Sequence, residues 1–350
     1  MKKTLLVTID YPPAVGGVAA YWKRVVENLP TGKISVLSQR LLWPWGPFRW
    51  WRGVFSVLKE YKRGNFEQIM VGQLLPVGNM VYVLHKFFKI PYFVQVYGMD
   101  LLMAKKQGRK FTMAKNILAS ANHVFTNSVA TGKQLQAFDV NDYTVVYPIP
   151  ELIPVLTEAE KARFRKNNQL EKSQIILTLG RLVPRKGQDM VIQAMNKVTE
   201  SFPEAVYVIA GDGPDKPRLE KLAAESQGQV IFTGKISEKE KNLWLNIVDL
   251  MIMPSRMTGD DMEGFGLVYL EAHSLRKPVI AGNQGGAVEA VKDKETGILV
   301  NPENPDEIAE AISELLGDKS KAQVLGQNGF ERLKSEFSWQ RNLQKMIEKL

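Results

Sequence analysis

Residues 174–187 read QIILTLGRLVPRKG. A run of apolar and β-branched residues from Ile175 to Leu179 stops at Gly180, and a loop with Arg181, Arg185 and Lys186 leads to Gly187. A short apolar run closed by glycine has the pattern of a buried strand. Toward the C-terminus the pattern returns at Ala205–Gly211, Val230–Gly234, Asp249–Met253, Pro278–Ala281 and Gly297–Val300. Toward the N-terminus it occurs at Thr4–Ile9, Ile34–Ser38, Gln68–Val71, Tyr92–Tyr97, His123–Asn127 and Thr144–Tyr147. Longer stretches with helical periodicity separate these runs, which implies βαβ units and an α/β fold with two open parallel sheets. The Pro-bearing segment from Tyr147-Pro148-Ile149-Pro150 to Pro154 divides the two series, so the predicted domains are 1–153 and 154–336. Sheets of this kind bind ligands outside the carboxyl ends of their strands, which makes a cleft between two facing domains the expected site.

The length of 350 residues, with 45% hydrophobic and 24% charged residues, suits a soluble chain of two domains. Met1-Lys2-Lys3 before Thr4–Ile9 resembles the start of a secretion signal, but the apolar run ends at Asp10 and reads better as a first strand. The apolar stretch Asn79–Tyr97 is broken by His85, Lys86 and Lys89, so no bilayer-crossing segment is expected. With no cysteine, disulfides, thiol nucleophiles and cysteine metal sites are excluded. His85, His123 and His273 lack metal-ligand spacing. The net charge of +9 is uneven: residues 1–150 hold 19 Lys or Arg against 7 Asp or Glu, and residues 151–350 hold 27 against 30. The basic half therefore suggests an anionic partner.

Chemistry concentrates in the second half. Glu263-Gly264-Phe265-Gly266-Leu267-Val268-Tyr269-Leu270-Glu271 places two carboxylates eight positions apart around a Gly-Phe-Gly entry to an apolar helix. Read as helix, that interval rises about 12 Å, roughly the distance from a hexose to the ribose of a folded-back sugar nucleotide. Each carboxylate could then accept from a pair of hydroxyls while glycine backbone approaches a phosphate. The plainer reading is a helix start enriched in acid. Gly180-Arg181 through Lys186-Gly187 places a guanidinium and an ammonium on a strand-to-helix loop, suited to a departing diphosphate. It is not a Walker loop, and its plainer reading is a solvated basic surface. Gly211-Asp212-Gly213-Pro214 lacks the third glycine of a dinucleotide fingerprint.

In this order, from Asp10-Tyr11-Pro12-Pro13 to Phe337-Ser338-Trp339, these segments resemble the family-4 retaining glycosyltransferases of the GT-B fold. The resemblance implies two facing Rossmann-like domains with parallel sheets and an interdomain cleft, the first domain rejoined by a C-terminal helix over 337–350. It implies that Arg181 and Lys186 hold the donor diphosphate, that Glu263 with the backbone of Phe265, Gly266 and Leu267 holds the sugar, and that Glu271 binds the ribose. Lys235 and Ile236 would flank the base, and Gly16 and Gly17 would form the glycine-rich loop beneath the phosphates. Where the family often has His-Gly-x-Asp or His-Gly-x-Glu, this chain has Tyr97-Gly98-Met99-Asp100, so Tyr97 and Asp100 are the expected acceptor or sugar contacts, and Tyr97 cannot titrate near neutrality.

The chemistry implied is transfer of a hexose from a nucleotide-diphosphate sugar to an acceptor hydroxyl with retention, without metal or other cofactor. No Asp-x-Asp triplet is present. Epimerases and phosphorylases of the same fold, or a non-catalytic glycan- or nucleotide-binding scaffold, are the alternatives. No nucleic-acid motif accompanies the basic half. Trp43, Trp45, Trp50 and Trp51, interleaved with Arg49 and Arg52 and followed by Lys59, Lys62 and Arg63, suggest docking on an anionic membrane. A peripheral enzyme on the cytoplasmic face, working on a lipid-linked acceptor, is the resulting expectation.

Overall fold

The computed structural model describes residues 1–14, 16–39, 41–42, 50–105 and 108–350. It divides into two compact units, Met1–Pro148 with Ser338–Leu350, and Ile149–Phe337. In the first unit, β1 (Thr4–Val7), β2 (Ile34–Leu37), β3 (Gln68–Val71), β4 (Tyr92–Val96), β5 (His123–Thr126) and β6 (Thr144–Val145) form a sheet in the order β2-β1-β3-β4-β5-β6. In the second, β7 (Gln174–Leu179), β8 (Ala205–Ala210), β9 (Gln229–Gly234), β10 (Leu250–Met253), β11 (Val279–Gly282) and β12 (Ile298–Val300) form the order β12-β11-β10-β7-β8-β9. Every pairing of these strands is parallel. All residues of β1, β3, β8 and β10 are buried, as expected of strands covered on both faces.

The strand order reverses between β1 and β3 in the first unit and between β7 and β10 in the second, and each reversal opens a crevice at the carboxyl ends of the strands. The loops after β7 and β10 therefore meet beside each other. That is how Gly180–Gly187 and the segment leading to Glu263, far apart in sequence, come together.

The chain leaves the first unit earlier than the predicted boundary at 153/154. Ile149 and Ile153 are buried, the Ile153 N–H donates to Ser274 Oγ (3.4 Å) and the Leu156 N–H to Asn246 Oδ1 (2.9 Å), so this segment packs on the second unit. At the other crossing Phe337 stays with the second unit, its ring edge-on to Phe265 at 5.6 Å. The last helix, Trp339–Ile347, starts after Ser338, whose hydroxyl accepts from the Arg341 N–H. It returns to the first sheet and places Leu343 and Met346, with Leu350 beyond it, among Leu6, Trp22, Met70, Phe93 and Phe125. Burying such side chains stabilises by about 1.5–3 kcal/mol each.

Among the described residues no helix is long and apolar enough to cross a membrane. Trp43 and Trp45 lie outside the described residues. Trp50, expected at a membrane surface, instead packs against the core of the first unit and stacks on Trp51 at 5.1 Å.

Candidate functional site

The basic loop after β7 ends in a 3₁₀ turn, Pro184–Lys186, and Gly187 at φ 73 then opens the helix Gln188–Ser201. A side chain at Gly187 would collide with the Pro254 carbonyl as well as strain the backbone, so glycine lets this loop lie against the one after β10. The close approach sets Lys186 Nζ 2.5 Å from Glu263 Oε2 and 3.3 Å from Met253 Sδ. Arg185 reaches the same carboxylate oxygen at 2.7 Å and, through Nε, Asp261 at 3.2 Å. The Ser255 hydroxyl adds a longer contact to Oε2 at 3.4 Å. Burial by itself would raise the Glu263 carboxyl, but the adjoining Lys186 ammonium and Arg185 guanidinium outweigh it and bring it down to about 2.

Further bonds hold Glu263 and the loops beside it in place. The Glu263 carbonyl accepts from the Gly286 N–H at 2.8 Å, which ties it to the loop after β11. The Tyr269 hydroxyl donates to the Met253 carbonyl at 2.6 Å, which pins the helix Leu267–Ser274 to β10. The Arg256 N–H donates to the Arg185 carbonyl at 2.8 Å, while the Arg256 guanidinium reaches buried Asp189 at 2.8 Å in the first turn of the helix after the basic loop. Arg218 shares Asp189 at 3.1 Å.

The second carboxylate, Glu271, is buried within the helix Leu267–Ser274 and pairs with Lys241 Nζ at 2.7 Å. That ammonium also meets Glu238 at 2.8 Å. Burial lowers the Lys241 ammonium and the neighbouring Glu271 charge more than reverses it, leaving it raised. The interval from Glu263 to Glu271 is not the continuous helix expected. Gly266 sits at φ 87, where a side chain would also collide with the Tyr269 ring, and the helix begins only at Leu267. The four helical steps from Leu267 to Glu271 rise about 6 Å, so the spacing of the carboxylates is set by the turn and not by a 12 Å helical rise.

Two loops at a strand-order reversal, carrying a paired Arg and Lys opposite a carboxylate, with a second buried carboxylate on the adjoining helix, make a site for a ligand bearing both phosphate and hydroxyls. The family model of the glycosyl transferases group 1 matches residues 160–332, nearly all of the second unit. The second unit belongs to that family.

A mannosyltransferase of Corynebacterium glutamicum, GDP-mannose-dependent and named for monoacylated α-(1-6)-phosphatidylinositol monomannoside, is 26% identical over 97% of this glycosyltransferase and 95% of its own length. The Mycobacterium tuberculosis enzyme, GDP-mannose-dependent and named for α-(1-6)-phosphatidylinositol monomannoside, is 38% identical over 52% of this chain, and this match spans about half (48%) of that relative. Among solved structures, Anabaena Alr3699/HepE in complex with UDP and glucose has a TM-score of 0.81 at 18% identity, covering 99% of each chain. That likeness carries the fold, which is GT-B.

The remaining predicted residues of the glycosyltransferase are distributed unevenly. Arg181 is exposed and its guanidinium has no partner among the described residues, whereas Arg185, which the sequence reading passed over, is the arginine on Glu263. The Phe265 side chain is core, as its contact with Phe337 shows, so only its backbone is available to a ligand. Lys235 is exposed and Ile236 half-buried just after β9, at the edge of the sheet, and neither is hydrogen-bonded or ion-paired to Glu263 or Glu271. In the first unit Gly16, at positive φ, and Gly17 start the helix Gly17–Asn28, with open space where their side chains would stand.

Tyr97 and Asp100 are half-buried, with the Tyr97 hydroxyl and Asp100 Oδ2 turned into the first unit. Asp100 Oδ1 accepts from the backbone N–H groups of Tyr97 (3.0 Å) and Leu101 (3.1 Å), so the carboxyl secures the start of the helix Met99–Lys105. The Tyr97 ring packs edge-on against Tyr21 at 5.8 Å, and burial followed by the neighbouring Tyr21 and Asp100 pushes its hydroxyl well up. Among the described residues, the Tyr97 and Tyr21 hydroxyls and Asp100 Oδ2 are buried with no hydrogen-bond partner. Burial likewise raises the Asp100 carboxyl against the lowering pull of its backbone hydrogen bonds. The small Gly98 and the short Asp100 side chain let this loop fold back on itself, which the motif pattern alone did not reveal.

Proposed function

We propose that this glycosyltransferase moves a hexosyl group from a nucleotide-diphosphate sugar to the hydroxyl of a lipid-linked acceptor, with retention and without a divalent metal. The single observation that carries the reading is Glu263 held at one oxygen by Lys186 and Arg185. A diphosphate arriving there competes for two cations already fixed in place, and their release frees the carboxylate to accept from sugar hydroxyls. Arg181, unpaired on the same loop, adds a third positive charge. Glu271 accepts from the ribose hydroxyls, with Lys241 balancing its charge.

In the step itself, the bond from the anomeric carbon to the β-phosphate oxygen breaks and a bond to the acceptor oxygen forms on the same face. The acceptor proton passes to the departing phosphate, and the cations stabilise the charge that gathers there. Side-chain cations perform the neutralisation that a metal supplies in other transferases. The names of the relatives favour GDP-mannose as donor and a phosphatidylinositol mannoside type of acceptor, and on this reading the work is done at the cytoplasmic face of a membrane.

The test is a thermal-shift panel of GDP, UDP and their hexose conjugates, followed by transfer of labelled sugar with and without chelator. A true donor at 100 times its Kd should add about 2.7 kcal/mol of stability. Transfer that survives chelation supports the reading. No shift with any nucleotide, or activity restored only by magnesium or manganese, overturns it.

A further inference from the structure

The helix Trp51–Arg63 in the first unit carries an outer stripe that nothing in the donor chemistry uses. Trp51, Phe55, Lys59 and Lys62 follow one another at i, i+4, i+8 and i+11, all exposed, and span about 16 Å of helix. Phe55 is 69% exposed and Trp51 39%. The helix Val77–Phe88 packs beside it and ends in Lys86, Phe87 and Phe88, followed by Lys89; the two rings are 77% and 53% exposed. Lys62 Nζ lies 5.7 Å from the centre of the Phe88 ring, which joins the two helices into one surface. Residues 50–90 hold six Lys or Arg and only Glu60 and Glu67 as acids. Glu60 is paired with Arg63 at 3.3 Å, and Glu67 accepts from the Lys3 N–H.

Phe55, Phe87 and Phe88 stand largely in water at a cost in solvation free energy that the single Lys62 contact to Phe88 only partly offsets. A ring of lysines around them disfavours a second copy of the same basic face, since like charges would meet. It favours an anionic surface that also takes up rings, which is the combination a bilayer offers at its headgroup boundary. We propose that Phe55, Phe87 and Phe88, with Lys59, Lys62 and Lys86, form a docking face for an anionic lipid bilayer. The face displaces the tryptophan cluster as the centre of contact, because Trp50 is packed on the core. The proposal rests on the lipid-linked acceptor reading for its purpose but not for its chemistry.

Co-sedimentation of the full chain with phosphatidylglycerol vesicles and with phosphatidylcholine vesicles tests it, with donor hydrolysis in buffer measured in parallel. Wild-type protein should bind the anionic vesicles at low salt, not the neutral ones, and come off as salt rises. Lys59→Gln and Lys62→Gln should each weaken binding about fivefold. The triple variant Phe55→Ser, Phe87→Ser, Phe88→Ser should bind at least tenfold less at unchanged melting temperature and unchanged donor hydrolysis. Unaltered vesicle binding in that variant overturns the assignment. So does wild-type protein that ignores anionic vesicles, or that forms a dimer in solution which the triple variant fails to form, for the face then serves a second copy. Wild-type protein that binds anionic vesicles as expected but shows no donor hydrolysis would strike the transferase reading alone.

Discussion

Glu263 and Glu271 belong to one nine-residue stretch, and both pair with a lysine, yet they are held in different ways. Glu263 lies on a turn and its two cations come from a separate loop across the strand-order reversal, so every partner can shift when an anion arrives. Glu271 lies in a helix, and Lys241 comes from a second helix, Glu238–Ile247, with Glu238 as a further partner. On the proposed reading, the difference separates a carboxylate that changes partners during binding from one that is preset. A charge that must change partners belongs on loops, and a charge that must stay put belongs on regular structure.

The strongest way to break this contrast is at the cations. Lys186→Ala and Arg181→Ala should each lower turnover by about a hundredfold or more, because each removes positive charge facing the departing diphosphate. Steady-state kinetics at saturating donor, with circular dichroism confirming the fold, decide it. Losses under tenfold in both would move the diphosphate elsewhere.

Acid stability comes next. Glu263 is held at about 2, against an ordinary value of 4.5. A depressed carboxyl contributes stability above its unfolded value and loses it as pH falls through the folded one, so the window runs from about pH 5 down to 2. The contribution is on the order of 3 kcal/mol. Urea unfolding across that window should therefore be flatter for Glu263→Gln than for wild type. Parallel profiles would mean that the carboxylate keeps no such preference in solution.

Ligand titration sharpens the division of labour. Glu271→Ala should weaken nucleoside diphosphate binding about tenfold, some 1.4 kcal/mol, even without a sugar. Glu263→Ala should leave the nucleoside diphosphate near its wild-type affinity and weaken only the sugar conjugate. Calorimetry that finds equal losses for both ligands in both variants would erase the distinction.

The smallest effect belongs to the support behind the loop. Arg256→Lys keeps a charge near Asp189 but not the fork, and should lower kcat only a few-fold, with Arg256→Gln costing about tenfold at little change in donor KM. A change confined to KM would place Arg256 in binding instead of positioning.

The strands were legible because each is a short apolar run with a glycine or turn at its end, and every one of the twelve stands within a few residues of its reading. Lys186 and Glu263 were legible as motif members, but their contact was not, since 77 positions separate them. Arg185 was hidden by its neighbours: three cations in six residues offer no way to tell which one turns toward the carboxylate. Lys241 and Arg256 carry no local signal at all, being ordinary cations whose partners come from other elements. The helical reading of Glu263–Glu271 failed at Gly266, whose positive φ stops the helix three residues after the first carboxylate. Tyr97 and Asp100 were correctly placed at a strand end, but whether a side chain there faces in or out depends on Tyr21, which lies on another helix.

The return of the last helix to the first sheet bears on the order of folding. All residues of the second unit leave the ribosome before Ser338–Leu350, while one face of the first sheet, around Leu6, Met70 and Phe125, stays uncovered until Leu343, Met346 and Leu350 arrive. The half made first is therefore finished last. Chains truncated after Phe337 and released should protect the second unit from protease and leave the first open to cleavage; equal protection of both would show that the first sheet closes without its final helix. A nascent chain of this kind has its second unit already shaped while its first is still awaiting its closing piece.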